Sequence, residues 1–186
     1  MRTFIAIEIP EEIKKEMAGL QQRLKSSAVE ASWPRPEGIH LTLKFLGEVP
    51  EAKVSDIQAA LKSAAADTGP LRLEVEGVGT FPNPKNARVA WIGLSGDIEK
   101  LTTLQTLVED SMARLGMERE DRPFTPHLTL GRIKYIRSKE GWLNALDSIK
   151  DIKLPGFDVT AVSLMKSELK RTGAVYTEIA KIELGK

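Results

Sequence analysis

Cysteine is missing from this chain, which excludes disulfides, thiolate zinc sites and a cysteine nucleophile. Histidine is nearly missing: His40 and His127 are the only two, too few for a three-histidine metal site within one chain. Net charge is almost absent as well. Lys and Arg number 27 against 26 Asp and Glu, a formal net charge of +1. The chain therefore lacks the long electrostatic grip of a polynucleotide-coating protein, and any basic surface is local. No apolar run approaches the length of a membrane span, and the short one at the N-terminus is interrupted by Glu8 and Pro10. The expected location is the cytoplasm, with no membrane partner. What remains is 186 residues, 41% hydrophobic and 28% charged. That is the make-up of a soluble globular protein, built as one domain or as two small lobes sharing a core.

Hydrophobic periodicity predicts the elements. Residues 3–9 read as a strand stopped by Pro10, and 11–26 as a helix with Ile13, Met17, Leu20 and Leu24 on one stripe. A short strand covers 39–46 around His40. A helix follows from Pro50-Glu51 to about residue 66, with Val54, Ile57 and Leu61 on one face. Leu71, Leu73 and Val75 alternate with Arg72, Glu74 and Glu76, a half-buried strand. The two prolines of 81–86 predict a turn, and 87–94 resume as a strand. A long helix is expected over 97–115 with Gly116 as its stop, then a strand around His127. A helix over roughly 138–149 has Ser138 as its N-cap. Strands at about 157–168 and 174–183 close the chain, with Arg171-Thr172-Gly173 as a hairpin tip.

This order is β-α-β-α-β twice, followed by one more strand, and it predicts an internal duplication. The expected organisation is one bilobal α+β domain over 1–186, with pseudo-repeats at about 1–80 and 86–170 and a C-terminal strand at about 174–183.

The repeat has a chemical signature. Around the first histidine stands Arg35-Pro36-Glu37-Gly38-Ile39-His40-Leu41-Thr42-Leu43. Around the second stands Arg122-Pro123-Phe124-Thr125-Pro126-His127-Leu128-Thr129-Leu130. Arg-Pro sits at the same offset before each histidine, His-Leu-Thr-Leu is identical, and the separation is close to half the chain. On a strand, His and Thr at i and i+2 share a face, with Cα atoms about 6–7 Å apart, while the leucines point into a core. Each lobe thus presents an imidazole beside a hydroxyl, and two lobes facing each other bring both pairs to one cleft.

That arrangement suits a phosphodiester. In-line displacement at phosphorus needs a base on the attacking oxygen and an acid on the leaving oxygen. Imidazole, with an ordinary pKa of about 6.5, serves in either role. The hydroxyls of Thr42 and Thr129 can donate to the non-bridging oxygens, where charge accumulates. The reaction so written needs no metal or other cofactor. A symmetric acid–base pair also runs backwards, so hydrolysis and ligation of one bond use the same residues with exchanged roles.

These motifs resemble the two-histidine phosphoesterase superfamily, and within it the RNA 2′,3′-cyclic phosphodiesterases, also called 2′-5′ RNA ligases. The likeness runs nearly end to end: Arg2-Thr3-Phe4-Ile5-Ala6; Trp33; His40 through Glu48; Phe81-Pro82-Asn83-Pro84 and Arg88-Val89-Ala90-Trp91; Phe124 through Arg132; Leu164 through Glu168; and Gly173-Ala174-Val175-Tyr176. The resemblance implies two antiparallel sheets facing a central cleft with helices outside. It implies that His40 and His127 are catalytic and that Thr42 and Thr129 bind phosphate. It implies hydrolysis of a terminal 2′,3′-cyclic phosphate on RNA to a 2′-phosphate, and ATP-independent 2′-5′ ligation of RNA ends. RNA ends with that cyclic phosphate are the implied partners, tRNA fragments among the candidates. The protein is expected to act as a monomer.

The resemblance also assigns substrate contacts to the position five after each histidine, here Phe45 and Arg132. Strict alternation would turn that position away, so the assignment requires a bulge, a twist or the end of the strand. Arg132 can fork onto phosphate and Phe45 can stack on a base or pack in the core. Trp33, Phe81 and Trp91 are further stacking candidates, Arg35 and Arg122 can flank the cleft, and Lys44, Lys134, Lys166 and Arg171 can form a basic rim. Two other readings keep the site: a phosphodiesterase acting on a small cyclic nucleotide or an ADP-ribose cyclic phosphate, and a nucleotide- or RNA-binding module without turnover.

Overall fold

The computed structural model describes residues 1–171 and 173–186. The first half runs β1 (Arg2–Glu8), α1 (Glu11–Lys25), β2 (Val29–Ser32), β3 (His40–Glu48), α2 (Val54–Ala66) and β4 (Leu71–Phe81). The second runs β5 (Val89–Gly96), α3 (Ile98–Arg114), β6 (His127–Ile136), α4 (Lys139–Asp147), β7 (Lys153–Val159), β8 (Ala161–Lys170) and β9 (Gly173–Glu183). It is an α+β fold with two antiparallel sheets, ordered β3-β1-β8-β9 and β2-β6-β5-β4-β7.

Local chemistry accounts for the helices. In α1, Glu11 and Glu12 sit in the first turn and Arg23 and Lys25 in the last, complementing the helix dipole. Its stripe of Ile13, Met17, Leu20 and Leu24 is fully buried. Ser138 caps α4, its Oγ accepting from the Gly141 amide at 3.1 Å. Gly116, at φ 85°, follows the end of α3.

Three expectations change. The strand expected over 157–168 is two strands, β7 pairing with β4 in one sheet and β8 with β1 in the other. Alternation looks alike on both sides of Thr160, so it could not show a change of sheet. The edge strand β2 was not anticipated. It is four residues long with Glu30 and Ser32 exposed, too short and polar for a periodicity signal, and it exists by pairing with β6. The turn expected at Phe81 is the end of β4, with Pro84–Asn86 forming a 3₁₀ turn beyond it. In the expected hairpin, Lys170 of β8 lies opposite Gly173 of β9, while Thr172 lies outside the described residues.

The sheets do not divide the chain at its middle. Strand β4 of the first half sits beside β5, and β8 of the second half sits beside β1. The main core takes the leucines of both His-Leu-Thr-Leu segments, Leu41, Leu43, Leu128 and Leu130, all buried. Each such side chain stabilises the fold by about 1.5–3 kcal/mol. The opposite face of β3-β1-β8-β9 carries a smaller cluster of Phe4, Ala6 and Met165 with Tyr176 packed on it.

Candidate active site

His40 and His127 each open a strand, and β3 and β6 approach one another across the two sheets. Along β3, half-buried His40 and Thr42 alternate with buried Leu41 and Leu43. Along β6, half-buried His127 and Thr129 alternate with buried Leu128 and Leu130. The imidazole and hydroxyl of each motif therefore share the face opposite the core.

Both strands then bulge at the same motif position. In β3, Thr42 pairs with Ala6 and Lys44 with Ile5, leaving Leu43 without a partner on β1. In β6, Thr129 pairs with Trp91 and Gly131 with Ala90, leaving Leu130 without a partner on β5. The extra residue shifts the alternation by one. It turns Lys44 and Gly131 inward and brings Phe45 and Arg132 onto the histidine face; Phe45 is 65% exposed. A side-chain amide serves each bulge carbonyl. Gln21 Nε2 on α1 donates to Leu130 O at 3.0 Å and to Pro34 O at 2.8 Å. Gln105 Nε2 on α3 donates to Leu43 O at 3.4 Å.

Inverting Lys44 corrects the expected basic rim. Its Nζ lies 2.7 Å from Glu109 Oε2 and donates to Glu118 O at 2.8 Å, with the side chain 3% exposed. Lys134, Lys166 and Arg171 do not line the cleft either, and Lys166 pairs with Glu168 at 3.1 Å. Among the described residues, the cations lining it are Arg2, Arg35 and Arg132. Arg122, the repeat equivalent of Arg35, is tied to Glu120 at 2.9 Å and does not line the cleft.

The cleft has a volume of about 910 Å³ and takes walls from both sheets: His40, Thr42 and Phe45 from one, Thr129 and Arg132 from the other, with Trp33 between β2 and β3. His127 is not among its lining residues; it flanks the cleft two positions before Thr129. Gly131 lets Trp33 close in, since a Cβ there would lie 2.7 Å from the indole. Phe81 and Trp91 pack on His127, with ring centroids 5.1 and 6.2 Å away. Phe4 and Tyr176 do the same for His40, at 5.8 and 5.4 Å. Sequence reasoning gave Phe4 and Tyr176 no role. Alternation with Ala6 places Phe4 on the histidine face, but nothing local places Tyr176 of β9 near His40.

Each imidazole is fixed in the same way. His40 Nδ1 lies 2.9 Å from Gly38 O, and His127 Nδ1 lies 2.7 Å from Thr125 O. A carbonyl only accepts, so both Nδ1 atoms carry the proton and both Nε2 atoms are left for chemistry. Burial lowers both pKa values below the ordinary value. The Gly38 carbonyl opposes this at His40, where Lys14 lowers and Glu8 raises it further. The Thr125 carbonyl opposes it at His127, where Arg132 adds to the lowering. The hydroxyls of Thr42 and Thr129 and the Arg132 guanidinium have no side-chain partner among the described residues. No cluster of three His, Cys, Asp or Glu suited to a metal is present among them.

Two sheets flanking one cleft, with a duplicated His-x-Thr strand, define a bilobal phosphoesterase architecture. A family model described as LigT-like phosphoesterase matches residues 7–91 and 92–176, and the chain belongs to that family. The two matches follow the duplication of the fold. The chain is 30% identical to the RNA 2′,3′-cyclic phosphodiesterase of Methanothermobacter thermautotrophicus over 99% of both chains. It is 34% identical to the protein of that name from Methanocaldococcus jannaschii, covering 96% of this chain and 98% of the relative. Among solved structures, TT0787 of Thermus thermophilus superposes with TM-score 0.81 at 29% identity, over 99% of this chain and 98% of that one. E. coli LigT complexed with 3′-AMP superposes with TM-score 0.75 at 25% identity, over 100% and 98%. No helix among the described residues is long and apolar enough to cross a membrane.

Proposed function

We propose that this phosphoesterase hydrolyses a terminal 2′,3′-cyclic phosphate on RNA to a 2′-phosphate by two-histidine acid–base catalysis. One observation carries the reading: His40 and His127 hold the same tautomer by the same carbonyl contact, each with a threonine hydroxyl on its face. One imidazole takes a proton from water through Nε2 as the water oxygen bonds to phosphorus. The other, protonated at Nε2, gives its proton to the ribose 3′ oxygen as the P–O3′ bond breaks. Thr42, Thr129 and Arg132 donate to the non-bridging oxygens, and Phe45 stacks on a base. The names of the curated relatives support the substrate class. A 5′-hydroxyl in place of water gives a 2′-5′ bond by the same proton transfers, which supports reversible ligation. Every residue invoked comes from one chain, so a monomer suffices.

The test offers an RNA ending in a 2′,3′-cyclic phosphate, with EDTA present. A 2′-phosphate product, with a 2′-5′ linkage when a 5′-hydroxyl RNA is added, is the expected outcome. A 3′-phosphate, or binding without turnover, refutes the reading.

A further inference from the structure

The cleft does not end at the catalytic motifs. In the β1–β3 pair, Glu8 lies opposite His40 at one end and Arg2 opposite Glu48 at the other. Six residue steps along β1 separate these ends, about 20 Å at the rise of an extended strand. The cleft follows this face from His40 past Phe4 and Phe45 to Arg2, Ser167 and Leu169. The Phe4 ring bridges the near part, 5.8 Å from His40 and 6.0 Å from Phe45. Two large apolar side chains stand open to solvent on this path, Phe45 at 65% and Leu169 at 77% exposed. The Arg2 guanidinium beyond them makes no ion pair or hydrogen bond among the described residues.

A cyclic phosphate and its own ribose need only the end of the cleft near His40 and Thr42. The far end offers a flat aromatic face, an aliphatic flank and an unpaired cation, continuous with the catalytic cleft. Aromatic faces stack on bases whatever their sequence, and a guanidinium forks onto a phosphodiester. The near-neutral net charge of the whole chain leaves such a contact local rather than spread along a strand.

We infer that the Phe45–Leu169–Arg2 end of the cleft is a subsite for the nucleotide upstream of the cyclic-phosphate end of an RNA strand. Phe45 and Leu169 hold its base and Arg2 its phosphate. The protein thereby prefers an oligonucleotide over a cyclic mononucleotide. This inference rests on the phosphodiesterase reading above for the identity of the strand.

Turnover is measured on 2′,3′-cyclic AMP and on a trinucleotide ending in the same cyclic adenylate, for the wild type, Arg2→Gln and Leu169→Ser. Both substitutions are exposed, and thermal melts establish that the variants fold. The expected kcat/KM of the wild type is about tenfold or more higher on the trinucleotide, and the ratio falls towards one in both variants. The slope of log KM for the trinucleotide against log salt drops by about 0.7 in Arg2→Gln, as for one lost phosphate contact on a single strand. It does not drop in Leu169→Ser. A wild-type ratio near one, or a ratio unchanged in both variants, overturns the subsite. If neither substrate is turned over, the phosphodiesterase reading fails separately. Calorimetric binding of 2′-AMP and of the 2′-phosphorylated trinucleotide then decides the subsite. Tighter trinucleotide binding that is lost in Arg2→Gln upholds it, and equal binding of the two overturns it.

Discussion

The side-chain amide of Gln21 donates to the carbonyl of Leu130 at 3.0 Å, across 109 residues of sequence. Leu130 is the bulged residue of β6, and its carbonyl has lost the partner that a regular ladder would supply. The contact holds open the bulge that swings Arg132 onto the face of His127. Gln105 stands in the same relation to Leu43, so a helix from each half of the chain supports the bulge in the other half's motif. The internal duplication is interlocked at its site, not merely set side by side.

Replacing Gln21 with Leu strands two carbonyls, the buried one of Leu130 and the part-buried one of Pro34. The expected loss is about 1–3 kcal/mol per stranded group, read as a lower urea midpoint. KM for a cyclic-phosphate RNA is expected to rise, because Arg132 loses its fixed direction. Unchanged KM in a destabilised but folded variant would separate the bulge from substrate binding.

The Lys44–Glu109 pair is buried, with side chains 3% and 11% exposed. Lys44→Met alone leaves Glu109 charged and unpaired, and a loss of about 3–5 kcal/mol is expected in denaturant titration. The double variant Lys44→Met with Glu109→Leu is expected to recover most of it. Equal losses in the single and double variants would show that packing, not the uncompensated charge, dominates.

His40→Ala and His127→Ala are each expected to lower kcat by about 10²–10⁴-fold while leaving the circular dichroism spectrum intact. In the proposed mechanism the two imidazoles supply both proton transfers, so wild-type turnover is expected to persist after dialysis against EDTA. One fully active single variant would remove the paired mechanism.

Burial lowers the pKa of both histidines. The base must be neutral, so its limb of the kcat/KM profile rises with pH. The acid must be protonated, so its limb falls with pH. Both apparent values belong to the pair, and both are expected below about 6.5, which places the optimum on the acid side of that value. An alkaline limb centred above it would contradict the burial effect. The same depression affects stability. The contribution of the neutral imidazoles is complete above about pH 6.5, the unfolded value, and is lost as pH falls from there through the folded values. The melting temperature should decline over that window, and less so in a double His→Asn variant.

Much of this protein is legible along the chain. Alternation in His40-Leu41-Thr42-Leu43 and its copy at His127 puts imidazole and hydroxyl on one face and leucine in the core, because strand geometry acts over neighbouring residues. The duplication, the main helices and the scarcity of histidine follow from the same kind of reading. Phe45 and Arg132 needed more: their placement depends on a ladder that slips by one residue, and a slip is a property of two paired strands. Lys44 shows the cost of reading one strand alone, since a lysine beside a catalytic motif looks like a rim residue until the bulge turns it onto Glu109. Tyr176 against His40, and Gln21 under Leu130, join residues whose separation in sequence carries no periodic signal. Local pattern thus singled out the groups proposed to do the chemistry. The exchange of β4 and β8 between sheets, the paired bulges and the length of the cleft arise from long-range strand pairing, where a shift of one position reverses which side chains face the substrate.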